Sequence, residues 1–168
     1  NAAASDCSTQ YDDNAASTPK LAWDADNLPT IVMKVRPGVA GAGVPDTDHQ
    51  FFAGLANTTG DAAPVSGSAT MNGIYFTNAS DGSGVTGTAN WYAVTDNGSG
   101  ASVTATACSV AVSETGYALL VIKVMSTSLV KFYIDGDVSD GVSLTECGTG
   151  NTTNINTSGM SGFFKADW

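Results

Sequence analysis

The feature that most constrains the fold of this chain is a pair of strand-like runs joined by a Ser-Thr-Ser turn. The runs cover residues 117–125 and 129–135. In the second run, Val130, Phe132 and Ile134 alternate with more polar side chains. Alternation with a period of two residues is typical of a β-strand that is buried on one face. The pattern therefore predicts a β-hairpin.

A second hairpin is predicted where residues 90–95 and 102–107 flank Asn97-Gly98, a dipeptide that favours tight hairpin turns. No window of a dozen residues shows the apolar spacing of an amphipathic helix. Short apolar runs separated by turn residues recur along the chain, and they predict about eight to ten strands packed as two sheets. The remaining predicted strands are residues 30–36, 50–55 and 73–77, with a return strand within residues 159–168.

The first part of the sequence differs from the rest. Residues 1–19 are polar, small and rich in Ala, Ser and Asp, a composition that favours an arm over a packed core. The sequence therefore predicts an N-terminal arm or extended segment over residues 1–27 and a single sandwich domain over residues 28–168.

The charge of the chain is strongly acidic and limits the partners that we expect. It has 16 Asp and Glu residues against six Lys and Arg residues, a formal net charge of −10. The basic residues are distributed along the sequence and predict no basic patch, so we expect no nucleic-acid partner. No apolar run reaches the length of a membrane-spanning helix, so we expect no membrane partner. The basic residues are Lys20, Lys34, Arg36, Lys123, Lys131 and Lys165.

The three cysteines leave two redox states open. Cys7, Cys108 and Cys147 form no Cys-x-x-Cys pair, and His49 is the only histidine, so a structural zinc site is not expected. An odd number of cysteines allows either one disulfide with a spare thiol or three free thiols. If a disulfide forms, Cys108–Cys147 is the expected pair, because both residues lie at predicted strand ends.

Six segments, in this order and at this spacing, carry a resemblance to a known family. The most specific part is Phe-Tyr-Ile-Asp-Gly at residues 132–136, followed by Thr-Thr-Asn-Ile at residues 152–155. Together the segments resemble the concanavalin A-like (lectin/glucanase) jelly-roll domains of tailed-phage and related virion proteins, over residues 28–166. Asn156 departs from the family, in which Pro is expected after Asn-Ile. The segments are residues 51–55, 73–76, 90–94, 120–124, 130–136 and 152–160.

The resemblance implies a fold and a role. The implied fold is a two-sheet antiparallel jelly-roll sandwich, and the implied role is that of a viral structural protein, a capsid decoration or head-fibre module. Such a module acts at the virion surface by self-association, with a trimer as the expected oligomer, and by docking to the major capsid protein or another virion protein. The alternative is a lectin-like carbohydrate-binding or adhesion module of a secreted or cell-surface protein, because one fold carries many functions.

Catalysis is not expected of this chain. Glycosidases need two positioned carboxyl groups, and jelly-roll glucanases carry theirs as a Glu-x-Asp pattern closed by a second Glu on one strand. The two glutamates of this chain, Glu114 and Glu146, lie instead beside turns. The one available imidazole base is His49, and no Gly-x-Ser-x-Gly elbow leads into a predicted helix. We therefore expect no catalytic residues.

Asp135, Asp137 and Asp140 are the candidate metal ligands. Three carboxylates within a short loop that also contains glycine offer the oxygen ligands that calcium prefers. The spacing departs from the calcium-loop pattern by one residue, and no Glu closes the loop. Because Asp-Gly is also common in ordinary turns, calcium is an alternative to a simple turn, and no other cofactor is expected.

Trp91 and Tyr92 are the candidate contacts to a glycan or a protein partner. Exposed aromatic rings stack on sugar faces, and neighbouring residues of a strand point to opposite faces. One of the two rings is therefore expected at the surface. Packing in the core or in an interface is the alternative role of both.

Overall fold

The structure, a computed structural model, describes residues 6–10, 27–36, 50–56, 73–78, 90–97, 103–113, 116–139, 141, 143–157 and 160–167. These residues form ten β-strands. They are β1 (Asp6–Gln10), β2 (Thr30–Val35), β3 (Gln50–Ala56), β4 (Gly73–Thr77), β5 (Asn90–Asp96), β6 (Val103–Ala111), β7 (Ala118–Ser126), β8 (Leu129–Asp135), β9 (Thr145–Glu146) and β10 (Ser161–Asp167).

The strands form two sheets. Six strands lie in the order β1-β10-β3-β4-β5-β6 and the other four in the order β2-β7-β8-β9. Every pair of neighbouring strands is antiparallel. One hydrophobic core takes residues from both sheets. The predicted all-β, two-sheet antiparallel sandwich is therefore confirmed.

Both predicted hairpins are present. In the hairpin of β7 and β8, Leu119 lies opposite Asp135 and the strands close at Ser126 and Leu129. In the hairpin of β5 and β6, Asp96 lies opposite Val103. Each hairpin joins strands that are neighbours in the sequence, which is why turn residues and alternation are enough to predict it.

Part of the predicted N-terminal arm belongs to the sandwich. Residues 6–10 form β1 and pair with β10, so that Asp6 lies opposite Asp167 and Gln10 opposite Phe163. The polar composition of this segment suits an edge strand, which is covered on one side only. Most of the remaining arm lies outside the described residues.

An aromatic cluster joins the two sheets at the centre of the core. The ring of Phe76 on β4 meets Trp91 on β5 edge-on, with 6.5 Å between ring centroids, and it meets Phe132 on β8 edge-on at 5.3 Å. All three side chains are fully buried. Full burial of a side chain such as Phe132 stabilises the fold by about 1.5–3 kcal/mol relative to exposure.

A disulfide ties the two sheets together at one lateral edge of the sandwich. It joins Cys108 on β6 to Cys147, which directly follows β9, with 4.3 Å between the Cα atoms. This is the pair that the sequence favours for a single bridge. A crosslink across a separation of 39 residues restricts the unfolded chain and so stabilises the folded one.

Asn151 connects the two sheets at the same edge, from within the core. Its side chain is 2% exposed, and its backbone N–H and carbonyl both bond to Val130 of β8. A buried amide needs partners for its polar atoms, and β5 and β6 supply them. Nδ2 lies within hydrogen-bonding distance of the Ala93 carbonyl (3.3 Å), Thr95 Oγ1 (3.2 Å) and the Thr104 carbonyl (3.2 Å).

Candidate functional site

The outer face of the four-stranded sheet carries exposed polar side chains beside apolar ones. On β8, Val130 and Phe132 are buried, whereas Lys131 and Tyr133 next to them are partly exposed. Because successive side chains of a strand point to opposite sides of the sheet, the second pair points away from the core. The same alternation runs along β2, where Val32 is 61% exposed.

Four basic residues lie on this outer face. Lys34 lies on β2 opposite Leu119, and Arg36 directly follows the same strand. Lys123 on β7 lies opposite Lys131 on β8. We call the surface formed by these four side chains and the rings of two tyrosines the cationic face. Its members are Lys34, Arg36, Lys123, Lys131, Tyr117 and Tyr133.

The cationic face corrects one prediction made from the sequence. The basic residues were expected to form no patch, yet four of the six lie on one face of one sheet. These four are also the ones whose side chains the structure describes. The prediction is wrong because β2 pairs with β7, which puts all four on one sheet face. They form two groups on it, since the register sets Lys34 opposite Leu119 and Thr30, at the other end of β2, opposite Lys123.

Two tyrosine rings hold three of the cations in place. Lys34 Nζ lies 4.7 Å from the ring centroid of Tyr117, and the guanidinium carbon of Arg36 lies 5.8 Å from it. Lys123 Nζ lies 5.2 Å from the ring centroid of Tyr133. At exposed sites, such cation–π contacts are worth about 0.5–1 kcal/mol each. They restrict flexible side chains without neutralising their charge.

The fourth cation is neutralised by a carboxylate. Lys131 Nζ forms a salt bridge of 2.9 Å with Glu146 Oε1 on β9. The hydrogen bond and the charge of Glu146 raise the pKa of Lys131 above its ordinary value. Lys123 lies directly opposite Lys131, an arrangement of like charges that destabilises a sheet. Glu146 therefore neutralises one of two lysines whose like charges repel each other.

The cationic face is positive within an acidic protein. The four strands carry the carboxylates Asp135 and Glu146 and the cations Lys34, Lys123 and Lys131, a formal charge of +1. Arg36 directly after β2 and Asp137 shortly after β8 add one charge of each sign and leave this balance unchanged. The whole chain carries −10. At physiological salt, charges are screened beyond a Debye length of about 8 Å. An anionic surface in contact with the cationic face is therefore attracted by the local positive charge more than it is repelled by the negative charge of the rest of the chain.

Two of the three candidate calcium ligands accept hydrogen bonds within the turn that follows β8. Asp135 Oδ1 accepts the N–H of Asp137 at 3.2 Å, and Asp137 Oδ1 accepts both the N–H of Ser139 at 3.0 Å and its hydroxyl at 2.6 Å. These bonds lower the pKa of the Asp137 carboxyl. Asp140 lies outside the described residues, and among those described no cluster of His, Cys, Asp or Glu is arranged for a metal ion. The two described carboxylates stabilise a turn.

The structure separates the two candidate contact residues. Trp91 is fully buried in the core, so it has no surface to offer a glycan or a partner, and its assignment as a contact is wrong. Tyr92 lies on the opposite side of β5 and is partly exposed. It packs against a second apolar cluster on the outer face of the six-stranded sheet, which we call the outer aromatic cluster. The cluster consists of Phe52, Ala56, Tyr75 and Val94, with Tyr92, Val103 and Ala105 packed against it.

Of the residues considered for catalysis, the structure describes Glu146. Glu146 is bonded to Lys131 on the cationic face. Glu114 and His49 lie outside the described residues, so the structure says nothing of their positions.

Sequence reasoning missed the cationic face for a specific reason. The hairpin of β7 and β8 and its alternation were predicted, and together they place Lys123 and Lys131 on one side of the sheet. The spacing of Lys34 and Arg36, two residues apart, also predicts one shared face. Sequence patterns do not show that β2 pairs with β7, because this pairing joins segments that are far apart in the chain.

No helix in the described part of the chain has the length and apolar character that crossing a membrane requires. Comparisons of the chain with protein-family models, with curated proteins and with solved structures found no match.

Proposed function

We propose that this protein is a non-enzymatic structural module that docks onto acidic protein surfaces through its cationic face. The observation that carries the proposal is the placement of four basic side chains, in two groups, on one sheet face of a chain whose net charge is −10. The setting that we propose is a virion surface, with the module acting as a capsid decoration or head-fibre component by self-association and docking. That setting is supported by the resemblance to concanavalin A-like virion domains.

The tyrosines support a role in binding. A lysine or arginine that is free in solution loses rotamer freedom when it binds a partner, and this loss opposes association. Lys34 and Arg36 already lie over the ring of Tyr117, and Lys123 over that of Tyr133. The cations are therefore partly ordered before a partner arrives, and less entropy is lost on docking.

The opposed lysines give independent support. Lys123 and Lys131 are direct partners on neighbouring strands, a placement that costs stability. Positions that break a local rule of stability are expected at functional sites. An acidic partner would offset this repulsion. Lys123 has a ring beside it and a lysine opposite it, so its charge is the one that an acidic partner would stabilise most.

The state of the carboxylates supports a non-enzymatic module. Glycoside hydrolysis needs one carboxyl group that gives a proton and a second that acts as a base or nucleophile. Glu146 forms a salt bridge with Lys131, and Asp135 and Asp137 accept hydrogen bonds from the turn that follows β8. Each of these groups already has a structural partner, including Asp135 and Asp137, which line one cavity of about 300 Å³.

Retention on a polyglutamate-coated matrix at neutral pH tests the proposal. An acidic protein with its charges evenly spread is repelled by this matrix, whereas we expect this chain to be retained at low salt and released as salt rises. The variant Lys34→Gln/Lys123→Gln should elute earlier. The control Lys165→Gln lies on β10 of the other sheet and should be retained almost as the wild type. Passage of the wild-type protein through the matrix without delay would contradict the proposal.

The lectin-like alternative depends on a different residue. Tyr92 is partly exposed on the six-stranded sheet, on the side away from the core, where a ring is able to stack on a sugar. Binding of the wild-type protein to a neutral glycan on an array, lost in Tyr92→Ala and kept in Lys34→Gln, would favour this alternative over docking through the cationic face.

A further inference from the structure

We propose that the open edge of β2 captures an extended acidic segment of a partner protein, which joins the four-stranded sheet as a further strand. In the part of the chain that the structure describes, β2 pairs with β7 and is the last strand on its side of the sheet. The inference deepens the proposed function, on which it rests for the attraction of acidic groups to Lys34 and Arg36.

The backbone of β2 presents hydrogen-bonding groups at this edge. In an antiparallel pair, residues whose N–H and C=O face the partner strand alternate with residues whose groups face away from it. The Pro29 carbonyl accepts the N–H of Val124 at 3.0 Å, so Ile31 and every second residue after it also face β7. The N–H and C=O groups of Val32 and Lys34 therefore point to the open side, where an added strand would bond to them.

A cavity of about 580 Å³ lies along the same edge. It is lined by residues 31–36, all in a row, and by Gly54, Gly162 and Phe164 of the other sheet. Successive side chains of a strand point to opposite faces. A cavity that contacts an unbroken run of residues therefore lies beside the backbone, where the next strand of the sheet would run.

The inner side of the cavity is apolar and only partly covered. Ile31, Met33 and Val35 pack against the core but are partly exposed, and so is Phe164 on β10. On β8, by contrast, the inward ring of Phe132 is fully buried. Because burial of apolar surface is favourable, we expect the inward residues of the added strand to be apolar.

The outer side of the edge favours acidic residues. Lys34 and Arg36 line the cavity and lie over the ring of Tyr117, which orders them without neutralising their charge. A carboxylate on the outward side of the added strand would lie across from Lys34, and opposite charges on neighbouring strands attract. The expected segment therefore has alternating apolar and acidic residues.

The same cations argue against a second copy of β2 as the added strand. Two copies of β2 paired edge to edge would bring Lys34 and Arg36 of both chains onto one continuous sheet face, where like charges repel. Lysine on an edge strand is a common device against such pairing. An acidic segment is attracted at the positions where a second copy is repelled.

Fluorescence anisotropy of labelled synthetic peptides tests the inference. The probe is a short peptide in which Val and Glu alternate, and its matched control has the same composition as a block of Val followed by a block of Glu. We expect the alternating peptide to bind severalfold more tightly, because a strand sorts alternate side chains to opposite faces. Equal affinity for the two peptides, or no binding of the alternating one, overturns the inference.

Val32→Pro is the variant aimed at the edge. It removes an N–H that points to the open side, a position at which edge strands tolerate proline. We expect it to weaken binding of the alternating peptide by about tenfold, since a backbone hydrogen bond is lost. Val32→Thr keeps the N–H and the branched side chain and should bind as the wild type. A folded Val32→Pro variant that binds as tightly as the wild type contradicts strand addition.

Methylation of the peptide backbone gives a test that depends on no protein variant. One alternating peptide carries N-methyl groups on its Val residues and another on its Glu residues, so each loses the N–H groups on one side of the strand. Only one side faces β2, so we expect one methylated peptide to bind and the other to lose binding. Equal affinity of the two also overturns the inference.

These results separate the inference from the proposed function. A protein that is retained on polyglutamate but binds the alternating and block peptides equally loses this inference and keeps the proposed function. A protein that binds the alternating peptide but passes through polyglutamate without delay keeps strand addition and loses docking onto acidic surfaces through the whole cationic face.

Discussion

The two sheets of this sandwich have outer faces of opposite character. On the six-stranded sheet, the outward residues Phe52, Tyr75 and Val94 are at most 1% exposed and form the outer aromatic cluster. On the four-stranded sheet, the outward residues include exposed cations and the 61% exposed Val32. Alternation places both sets away from the shared core. The comparison shows that an outward position is not always an accessible one: the centre of the six-stranded sheet is covered, whereas the cationic face is open at its cations.

The largest expected effect is on the free energy of unfolding, and it distinguishes the outer faces of the two sheets. Phe52→Ala removes a fully buried ring that lies 6.1 Å from the ring of Tyr75, and we expect it to lower the free energy of unfolding by about 3–5 kcal/mol. Val32→Ala, on the cationic face, should change it by less than about 0.5 kcal/mol because the side chain is exposed. Urea unfolding measures both. Similar small losses in the two variants would show that the outer faces do not differ in burial.

A smaller effect is expected from the salt bridge of the cationic face. Glu146→Gln keeps the shape of the side chain and leaves Lys131 opposite Lys123 without a carboxylate, so we expect a melting temperature slightly below that of the wild type. The pKa of Lys131 is raised by Glu146, so the stability that the pair contributes is present below 10.5, the ordinary value, and is lost as pH rises through the higher folded value.

The difference in melting temperature between Glu146→Gln and wild type should therefore shrink under strongly alkaline conditions, and it should also shrink with added salt, which screens exposed charges. A difference that is constant across pH and salt would mean that Glu146 acts by packing alone.

The smallest expected effect lies at the turn that ends the cationic face. Asp137 accepts two hydrogen bonds from Ser139, and the next residue, Val138, donates its N–H to the carbonyl of Tyr117 at 2.8 Å. The pKa of Asp137 is lowered by these bonds. The carboxylate therefore contributes stability above pH 3.8, its ordinary value, and loses it as pH falls through the lower folded value.

Thermal unfolding of Asp137→Asn and wild type between neutral pH and strongly acidic pH measures this contribution. We expect the wild type to be slightly more stable at neutral pH and the two to converge in acid. Because Asp137→Asn also removes a negative charge close to Tyr117 and its cations, we expect it to increase retention on polyglutamate slightly. A variant that matches the wild type at neutral pH would show that the turn is held by other bonds.

The local parts of the fold were accessible from the sequence. The hairpins of β5 with β6 and of β7 with β8 follow from alternation and turn chemistry, because each is formed by neighbouring segments. The strand at residues 6–10 was not predicted, since its polar side chains gave no alternation and its partner β10 lies at the other end of the chain. Pairing between distant segments is decided by packing that no single window contains.

The candidate site was accessible only in part, for the same reason. Alternation predicted that Trp91 and Tyr92 point to opposite faces, but the identity of the buried ring depends on which side of β5 meets Phe76 and the other sheet. The spacing of the three aspartates did not distinguish a metal loop from a turn, because both use carboxylate oxygens as acceptors. In the structure, the carboxylate oxygens of Asp135 and Asp137 accept hydrogen bonds from the N–H groups of Asp137 and Ser139, respectively.

The pairing of β1 with β10 has a mechanical consequence. Asp6 lies directly opposite Asp167, so tension applied between these two residues pulls on the end of the strand pair and opens its hydrogen bonds one after another, as a zipper opens. Strands loaded in this direction separate at lower force than strands made to slide past each other. The cationic face lies on the other sheet. Tension between Asp6 and Asp167 would therefore separate β1 from β10 before it loads the four-stranded sheet.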